Sequence, residues 1–354
     1  MTVFGDSFRT EHRDQVLLLA GRDPLAAELQ HGLVSQCGVG VSSNILVGFS
    51  GGADSTALLV LMKALSMRAN SPIGRISAFH VDHGLRDDSA QDAAHVAEVC
   101  RVLDIELDFC RLSLSGGEGN VSERARVARY EVLEAAAVRG RCEFVCTAHH
   151  AEDRFETMLQ NLCRGGGASA IGQPRWVRPL GAVGLIRPLL GCSRSDLRTL
   201  CIRGEVAFLD DPSNEDPASA RGFLRQHVLP ALEERWPGAS RRASAAADRV
   251  FAASEALATQ IEDCFGSRDH HSWSRAAFRG VDLEIAAAAI RRSVLHIALA
   301  GQVEVEQNAF AQRLREAAEY ASSERDEPRV FEFARGKIKL LVHANEVGLT
   351  RSEG

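Results

Sequence analysis

The sequence predicts an α/β fold: a doubly wound, mainly parallel sheet, followed by a smaller, mostly helical domain and a short strand-like tail. Three observations lead to this prediction. Apolar strand-like runs alternate with helical patterns between residues 44 and 236, which is typical of βαβ units. Residues 239–320 are rich in alanine and have helical spacing. The tail, residues 329–350, alternates apolar and polar side chains as strands do.

The elements of the predicted sheet domain follow one another in a regular order. Residues 1–43 form a helical lead-in, because Leu25, Leu29 and Leu33 recur at nearly helical spacing. A continuous apolar run at 45–49 is typical of a buried strand, and a long apolar helix follows at 56–67. Further strands are expected at 76–82, 105–112, 143–148 and 185–190, and further helices at 88–103, 122–139, 153–164, 193–203 and 218–236. A turn-rich stretch lies at 210–217.

Length and composition are those of an ordinary globular protein. The 354 residues are 45% hydrophobic and 25% charged, and they divide into a lead-in at 1–43, a sheet domain at 44–236 and a mostly helical domain at 237–354. No uncharged apolar run approaches the roughly 18 residues of a membrane span, so we expect a cytoplasmic protein without a membrane partner. Nine cysteines without a C-x-x-C pair predict free thiols. The net charge of −6 disfavours nucleic-acid binding through bulk charge alone.

A glycine-rich turn follows the first strand of the predicted sheet. Its sequence at 50–55 stands between a strand and a helix, where doubly wound sheets bind ligands. Glycines let a phosphate approach the backbone, and free N–H groups at a helix start point toward it. Asp54 beside a phosphate implies a shared Mg²⁺ ion. The alternative is a plain turn with Asp54 or Ser55 as the helix N-cap. The predicted phosphate-binding residues are Ser50, Gly51, Gly52, Ala53, Asp54 and Ser55.

Two pairs of charged residues recur three apart on predicted helices. Asp153 and Glu156 share one face of a first helical turn, where they could hold Mg²⁺ and an ammonium group. The alternative is a cap, with Asp153 as N-cap and Glu156 at the third helical position. Arg126 and Arg129 share a face in the same way and could neutralise charge on a leaving pyrophosphate. Their alternative is a solvated helix face.

The densest basic run lies near the end of the sheet domain. Placed on a helix from 218 and on the next helix after 238, these arginines could follow an RNA backbone. The alternative is exposed arginine on a solvated helix. The run consists of Arg221, Arg225, Arg235, Arg241, Arg242 and Arg249.

Four histidines lie near the ends of predicted strands, but they lack the H-E-x-x-H spacing that zinc helices favour. We expect base stacking or hydrogen bonding near a strand end instead. These residues are His80, His83, His149 and His150.

Several motifs resemble one known family. The S-G-G-x-D-S turn at 50–55 is similar to the PP-loop of ATP pyrophosphatases, and it lacks the lysine of a Walker loop. Four further stretches resemble motifs of tRNA(Ile)-lysidine synthetases in their order and spacing. They lie at 79–86, 120–130, 147–167 and 210–230, so that the resemblance covers roughly residues 40–235.

The resemblance implies an activity and a role for each site residue. ATP, bound by the loop and His80, would adenylate the wobble cytidine of tRNA(Ile) with a CAU anticodon, and free L-lysine would displace AMP. Asp54 and Asp153 would hold Mg²⁺, Asp153 and Glu156 would bind the lysine, and Arg126 would stabilise the transition state. The basic run, and not the resemblance, places the tRNA contacts at Arg221, Arg225, Arg241 and Arg242.

Some points stay open beside this resemblance. Arg154 stands where the family commonly has glutamine, and its charge beside Asp153 could weaken Mg²⁺ binding. The alternatives in function are a PP-loop tRNA thiolase and an ATP-binding regulatory module without turnover. A homodimer is compatible with the sequence.

Overall fold

The computed structural model describes residues 2–3, 12–82, 89–112, 121–209, 219–267, 269, 271–301 and 310–352. The turn-rich stretch expected at 210–217 lies outside these residues. The chain forms two compact units. The first contains Met1–Arg164 and Ala170–Arg249 and so extends beyond the expected boundary at 236. The second contains Gly165–Ser169 and Val250–Gly354.

Helices and strands alternate through the first unit, as expected. Its strands are β1 (Thr2–Val3), β2 (Ser43–Gly48), β3 (Ile73–Asp82), β4 (Glu106–Arg111), β5 (Phe144–Cys146), β6 (Val177–Leu180), β7 (Val183–Ile186) and β8 (Phe208–Leu209). The helices up to the unit boundary are α1 (Arg13–Arg22), α2 (Pro24–His31), α3 (Ala53–Ser66), α4 (Ser89–Leu103), α5 (Val121–Arg139), α6 (Ala151–Cys163), α7 (Ala168–Ile171), α8 (Arg194–Arg203), α9 (Ala220–Phe223), α10 (Leu229–Arg235) and α11 (Ala239–Phe265).

The main sheet has six strands in the order β4-β3-β2-β5-β7-β6. All neighbours are parallel except β6, which pairs antiparallel with β7. The doubly wound, mainly parallel sheet is therefore confirmed. Strand β6 was not predicted, because it is short and contains Pro179, a residue that sheets tolerate at an edge.

Helices cover both faces of this sheet. On one face α1, α3 and α8 enclose the larger core, which includes Leu29, Leu58 and Leu197. On the other face α5 packs against β2, β3, β5 and β7 through residues such as Leu133. The helical lead-in is confirmed for α1 and α2, whereas β1 is a short strand that pairs with β8.

The carboxyl ends of four parallel strands meet at one edge of the sheet. The chain leaves β2, β3, β5 and β7 at this edge, so the segments after these strands lie side by side. Because α5 returns the chain between parallel strands, its first half lies at the same edge. Most residues that the sequence singles out for chemistry belong to these segments.

The second unit has its own core. It contains α12 (Leu283–Ala300), α13 (Phe310–Ser322) and an antiparallel sheet in the order β10-β11-β12-β9. The strands are β9 (Ser272–Ser274), β10 (Arg329–Phe333), β11 (Ile338–Val342) and β12 (Glu346–Arg351). The strand-like tail is therefore confirmed, and β9 adds a strand that was not predicted. Trp273, Phe265 and Phe278 pack edge-on or tilted in this core.

All nine cysteines are free, as expected. Among the described residues, no helix is both long and apolar enough to cross a membrane.

Candidate active site

The glycine-rich turn forms an open helix start at the carboxyl end of β2. Helix α3 begins at Ala53 with Gly52 as its N-cap, so the alternative with Asp54 or Ser55 as N-cap is wrong. The first intrahelical bond runs from the N–H of Thr56 to the carbonyl of Gly52. The N–H groups before it have no partner within the helix and point out of its end. Such a helix start suits an anion.

Gly51 holds the turn in a conformation that only glycine adopts easily. Its φ is +83°, and its carbonyl accepts a 2.9 Å hydrogen bond from the N–H of Leu209. A Cβ atom here would lie 2.9 Å from Cδ1 of Leu209 and 3.1 Å from Cγ2 of Val96. The hydroxyls of Ser50 and Ser55 are 3.0 Å apart inside the turn. The loop is therefore built in advance of any ligand.

Asp54 is one of three carboxylates that surround a buried histidine. The Nε2 atom of His150 lies 3.3 Å from Asp153 and 3.6 Å from Asp54, and its Nδ1 atom lies 2.9 Å from Glu152. Burial lowers the pKa of His150, but the three carboxylates raise it by more, so that the pKa lies well above its usual range. His150 is also the N-cap of α6, which begins at Ala151. The alternative with Asp153 as N-cap is therefore wrong.

The carboxylates of Asp153 and Glu156 lie together and share one cation. Arg225 donates from Nη2 to Asp153 at 2.7 Å and from Nε to Glu156 at 2.5 Å. Glu156 is completely buried, and burial raises its pKa although Arg225 lowers it. The Nε atom of Arg221 lies 3.7 Å from the second oxygen of Glu156. The pair can therefore hold a cationic side chain.

The carboxylates at this edge fit a magnesium ion in part. Within the described parts of the chain, Oδ1 of Asp54 is buried and has no hydrogen-bond partner, so it is available as a ligand. Both oxygens of Asp153 are engaged, one by Arg225 and one by His150. No three His, Cys, Asp or Glu side chains of the described residues form a group suited to a metal ion. The arrangement fits an ion held by Asp54 together with phosphate oxygens, which is a common way of binding Mg²⁺.

Arg154 does not lie against these carboxylates. Its side chain is 1% exposed and pairs with Asp248 of α11 at 2.7 Å. It also donates to the hydroxyl of Ser244 and to the carbonyl of Gly172. The expectation that Arg154 weakens Mg²⁺ binding receives no support from these contacts, because its charge is neutralised elsewhere.

The other predicted arginines fall into different surroundings. Arg126 is half exposed, pairs with Glu123 at 3.1 Å and lies over the ring of Tyr130 on α5. Arg241 pairs with Glu28, and Arg242 donates to two backbone carbonyls. The structure therefore brings Arg221 and Arg225 to the carboxylates and leaves Arg241 and Arg242 on the surface.

His80 lines a cavity next to the loop. Its Nδ1 atom lies 2.9 Å from the carbonyl of Phe49, and the ring is buried. The cavity, between α4 and β4, measures about 420 Å³ and is mainly apolar, with Val96 and Phe109 among its lining residues. Val96 also abuts Gly51 of the loop. A planar apolar group bound here would adjoin a phosphate bound at 50–55.

Two residues of this cluster could not be assigned from spacing alone. His150 was expected only to stack or hydrogen-bond near a strand end, and its place among three carboxylates depends on the fold. Arg225 was assigned to RNA, yet it contacts residues that are 69 and 72 positions away. Its position four residues after Arg221 is the only hint in the sequence that both would reach one site.

Comparison with known proteins bears on this geometry. A family model described as a PP-loop domain matches residues 25–232, which is more than half of the chain. The chain belongs to this family. The match includes the loop at 50–55 and the carboxylates of Asp54, Glu152, Asp153 and Glu156, and it ends shortly before α11.

Curated relatives match more than half of the chain. The tRNA(Ile)-lysidine synthase of Pseudomonas aeruginosa is 39% identical over 193 residues, which are 54% of this chain and 42% of the relative. The tRNA(Ile)-lysidine synthase of Alkalilimnicola ehrlichii is 39% identical over 230 residues, which are 63% and 49%. This chain spans about half the length of the curated relatives that it matches.

Among solved structures, a U34-tRNA thiolase, NcsA from Methanococcus maripaludis, has a TM-score of 0.53 and 17% identity, and the match covers 68% of this chain and 80% of that one. This likeness shows the fold alone.

Proposed function

We propose that this protein is an ATP-dependent ligase that joins free L-lysine to the wobble cytidine of tRNA(Ile) with a CAU anticodon. The observation that carries the proposal is the pairing of two sites at one sheet edge. A helix start suited to phosphate lies beside Asp153 and Glu156, whose carboxylates hold a cationic side chain. The relatives' names support tRNA(Ile) as the second substrate.

The loop and Asp54 would bind the triphosphate of ATP. The helix start offers N–H groups to the phosphates, and the free Oδ1 of Asp54 would hold Mg²⁺ against them. When bound, the metal would neutralise charge on the leaving pyrophosphate. Arg126, half exposed at the same edge, would stabilise that charge from the α5 side. The cytidine carbonyl oxygen attacks the α-phosphorus of ATP, and pyrophosphate leaves.

The apolar cavity beside the loop would take the adenine of ATP. Its volume of about 420 Å³ lies within the range of small-molecule sites, and His80 offers the ring a polar edge. A substitution that fills this cavity tests the assignment. Ala97→Trp, on an exposed position of α4 that lines the cavity, should raise the KM for ATP about tenfold and leave the KM for lysine unchanged.

Ala94→Trp is the matched control, because Ala94 is also exposed on α4 but does not line the cavity. Equal KM values for ATP in the two variants would place adenine elsewhere. Steady-state pyrophosphate release at varied ATP is the measurement.

Asp153 and Glu156 would hold the lysine substrate. Arg225 already occupies both carboxylates, which supports a preference for a long cationic side chain at this place. The attacking ε-amine must be neutral, so a nearby carboxylate that accepts its proton would assist the step. The amine nitrogen then bonds to the activated cytidine carbon, AMP leaves with the carbonyl oxygen, and lysidine forms.

The tRNA would contact exposed arginines on the last helices of the first unit. Arg221, Arg241 and Arg242 are exposed and remain the proposed contacts of the first unit's last helices. Arg225 is engaged with the carboxylates, so its contact with RNA would require release from them.

Two other functions are compatible with the same fold. A thiolase would use the loop equally well, but it usually carries paired cysteines, and the nine cysteines here contain no C-x-x-C. A regulatory module would bind ATP without turnover. Release of AMP and pyrophosphate that depends on unmodified tRNA(Ile) supports the ligase over the module. Binding of ATP with no release under these conditions would contradict the proposal.

A further inference from the structure

Four arginines surround one tyrosine on the α5 face of the sheet. The guanidinium carbons of Arg126, Arg129 and Arg178 lie 5.6, 5.1 and 4.8 Å from the centre of the Tyr130 ring. The fourth, Arg187, lies close enough to Tyr130 that each side chain shifts the pKa of the other. We call these five residues the arginine cluster. They come from three elements, because Arg178 lies on β6 and Arg187 directly follows β7.

The charges of this cluster are not balanced by nearby acids. Arg126 pairs with Glu123, whereas Arg129, Arg178 and Arg187 have no carboxylate partner within the described part of the chain. Arg187 is 3% exposed, and one of its nitrogens donates to the carbonyl of Arg175. Its Nε atom and that of Arg129 are buried and have no hydrogen-bond partner among the described residues. A buried guanidinium group without a carboxylate partner is costly, so Arg187 points to an anionic ligand at this place.

The local electrostatics agree with this imbalance. Burial alone would raise the pKa of Tyr130, but the guanidinium groups of Arg129, Arg187 and Arg126 bring it below the ordinary value. Burial and the neighbouring charges of Arg178 and Arg126 also lower the pKa of Arg187, although Tyr130 opposes them. Like charges are therefore held close together before any ligand is bound.

The arginine cluster lies at the same sheet edge as the candidate active site, but it lies near β7 and β6, whereas the loop follows β2. Arg178 pairs in register with Leu185 near the carboxyl end of β7, and Arg126, Arg129 and Tyr130 lie in the first half of α5. In the sheet order, β6 is three strands away from β2, which carries the loop. At the usual strand spacing this amounts to about 14 Å. The acidic residues Asp54, Asp153 and Glu156 lie on the loop's side.

We propose that the arginine cluster binds a backbone phosphate of the RNA substrate next to the nucleotide that reacts. This inference rests on the proposed function, since it names how the tRNA is held at that site. A phosphodiester accepts several N–H donors at once, and arginine forks match its oxygens. Contacts of this kind fix the register of a nucleic acid without reading its sequence. The exposed parts of Arg126 and Arg178 allow an RNA strand to reach the arginine cluster.

The position of the cluster favours RNA over the phosphates of ATP. A triphosphate bound at 50–55 lies at the end of β2, three strands away from Arg178 on β6. An RNA strand that runs along the sheet edge has a phosphate at every nucleotide, so it can reach the arginine cluster as well. Arg126, nearest in sequence to the start of α5, would lie between the two ligands. Arginines can bind a phosphate of RNA or a phosphate of ATP, so the test distinguishes these two ligands.

The test is a salt titration of tRNA binding by Arg178→Ala. We expect the Kd for unmodified tRNA(Ile) to rise about tenfold and the slope of log K against log salt to fall by about 1, because one phosphate contact is lost. Arg178→Lys should recover most of the affinity, since it keeps the charge. The KM for ATP should not change in either variant.

Arg139→Ala is the matched control, because Arg139 lies in the last turn of α5 and pairs with Asp108 on the surface. It removes the same charge far from the carboxyl edge. If Arg178→Ala binds tRNA with the Kd and salt slope of Arg139→Ala, the inference is wrong. A raised KM for ATP with unchanged tRNA binding would assign the cluster to the nucleotide instead and would also overturn it.

Failure of the proposed function would look different. If the wild-type protein binds tRNA but joins no lysine to it, the ligase assignment falls while a selective loss in Arg178→Ala still supports the phosphate site. If the wild type joins lysine and Arg178→Ala matches the control, only the phosphate site falls. A wild-type protein that binds no tRNA would overturn both.

Discussion

Replacing Asp54 with asparagine should lower tRNA-dependent pyrophosphate release by roughly 10²–10³-fold, the size expected when one stabilising group of a transition state is removed. The buried Oδ1 atom has no hydrogen-bond partner among the described residues, so we expect it to face a ligand. An amide keeps the size of the side chain but loses the charge that holds a cation against the triphosphate. Release of pyrophosphate from ATP is the measurement.

The control for this variant is Asp104→Asn. Asp104 is largely exposed, pairs with Lys63 and lies far along the chain from the loop, at the end of α4. Both variants should keep the far-ultraviolet circular dichroism and melting temperature of the wild type. Unchanged turnover in Asp54→Asn would remove this residue from the reaction.

Replacing Arg225 with alanine should lower the free energy of unfolding by about 3 kcal/mol, because it leaves two buried carboxylates without their shared cation. Glu156 is completely buried, and Asp153 is mostly so. The same vacancy should let free lysine act as a substitute. Lysine should therefore raise the melting temperature of Arg225→Ala more than that of the wild type.

Thermal unfolding with and without lysine measures this effect, and Arg235→Ala serves as the control. Arg235 lies at the end of α10 and stacks on Trp236, away from the carboxylates. We expect little change in its stability and no response to lysine beyond that of the wild type. If Arg225→Ala is as stable as this control, or gains nothing from lysine, Asp153 and Glu156 are not the lysine site.

The sequence predicts the parts of this site that are local. The glycine turn, its flanking strand and helix, and the alternation of strands and helices along the chain follow from periodicity and from residues that are close in the chain. Gly51 shows why: its left-handed φ and its contact with Leu209 leave no room for another residue. Such a constraint requires a glycine, which can be recognised in the sequence.

The parts that were missed depend on distant contacts. Arg225 reaches Asp153 and Glu156 across about seventy residues, and the pairing of Arg154 with Asp248 joins α6 to a helix much later in the chain. No local pattern distinguishes an arginine that faces solvent from one that turns inward to an acid. Edge strand β6 was not predicted for a related reason. Its proline makes the local sequence less typical of a strand, and β6 is stabilised by pairing with β7.

Incorporation of labelled lysine into an unmodified tRNA(Ile) transcript with a CAU anticodon tests the central claim most directly. The reaction contains ATP and Mg²⁺, and the methionine tRNA with the same anticodon is the control. We predict label in the isoleucine tRNA, none in the methionine tRNA, and one AMP released for each lysine joined. AMP release without label in either tRNA would contradict lysine as the nucleophile while leaving adenylation by the loop in place.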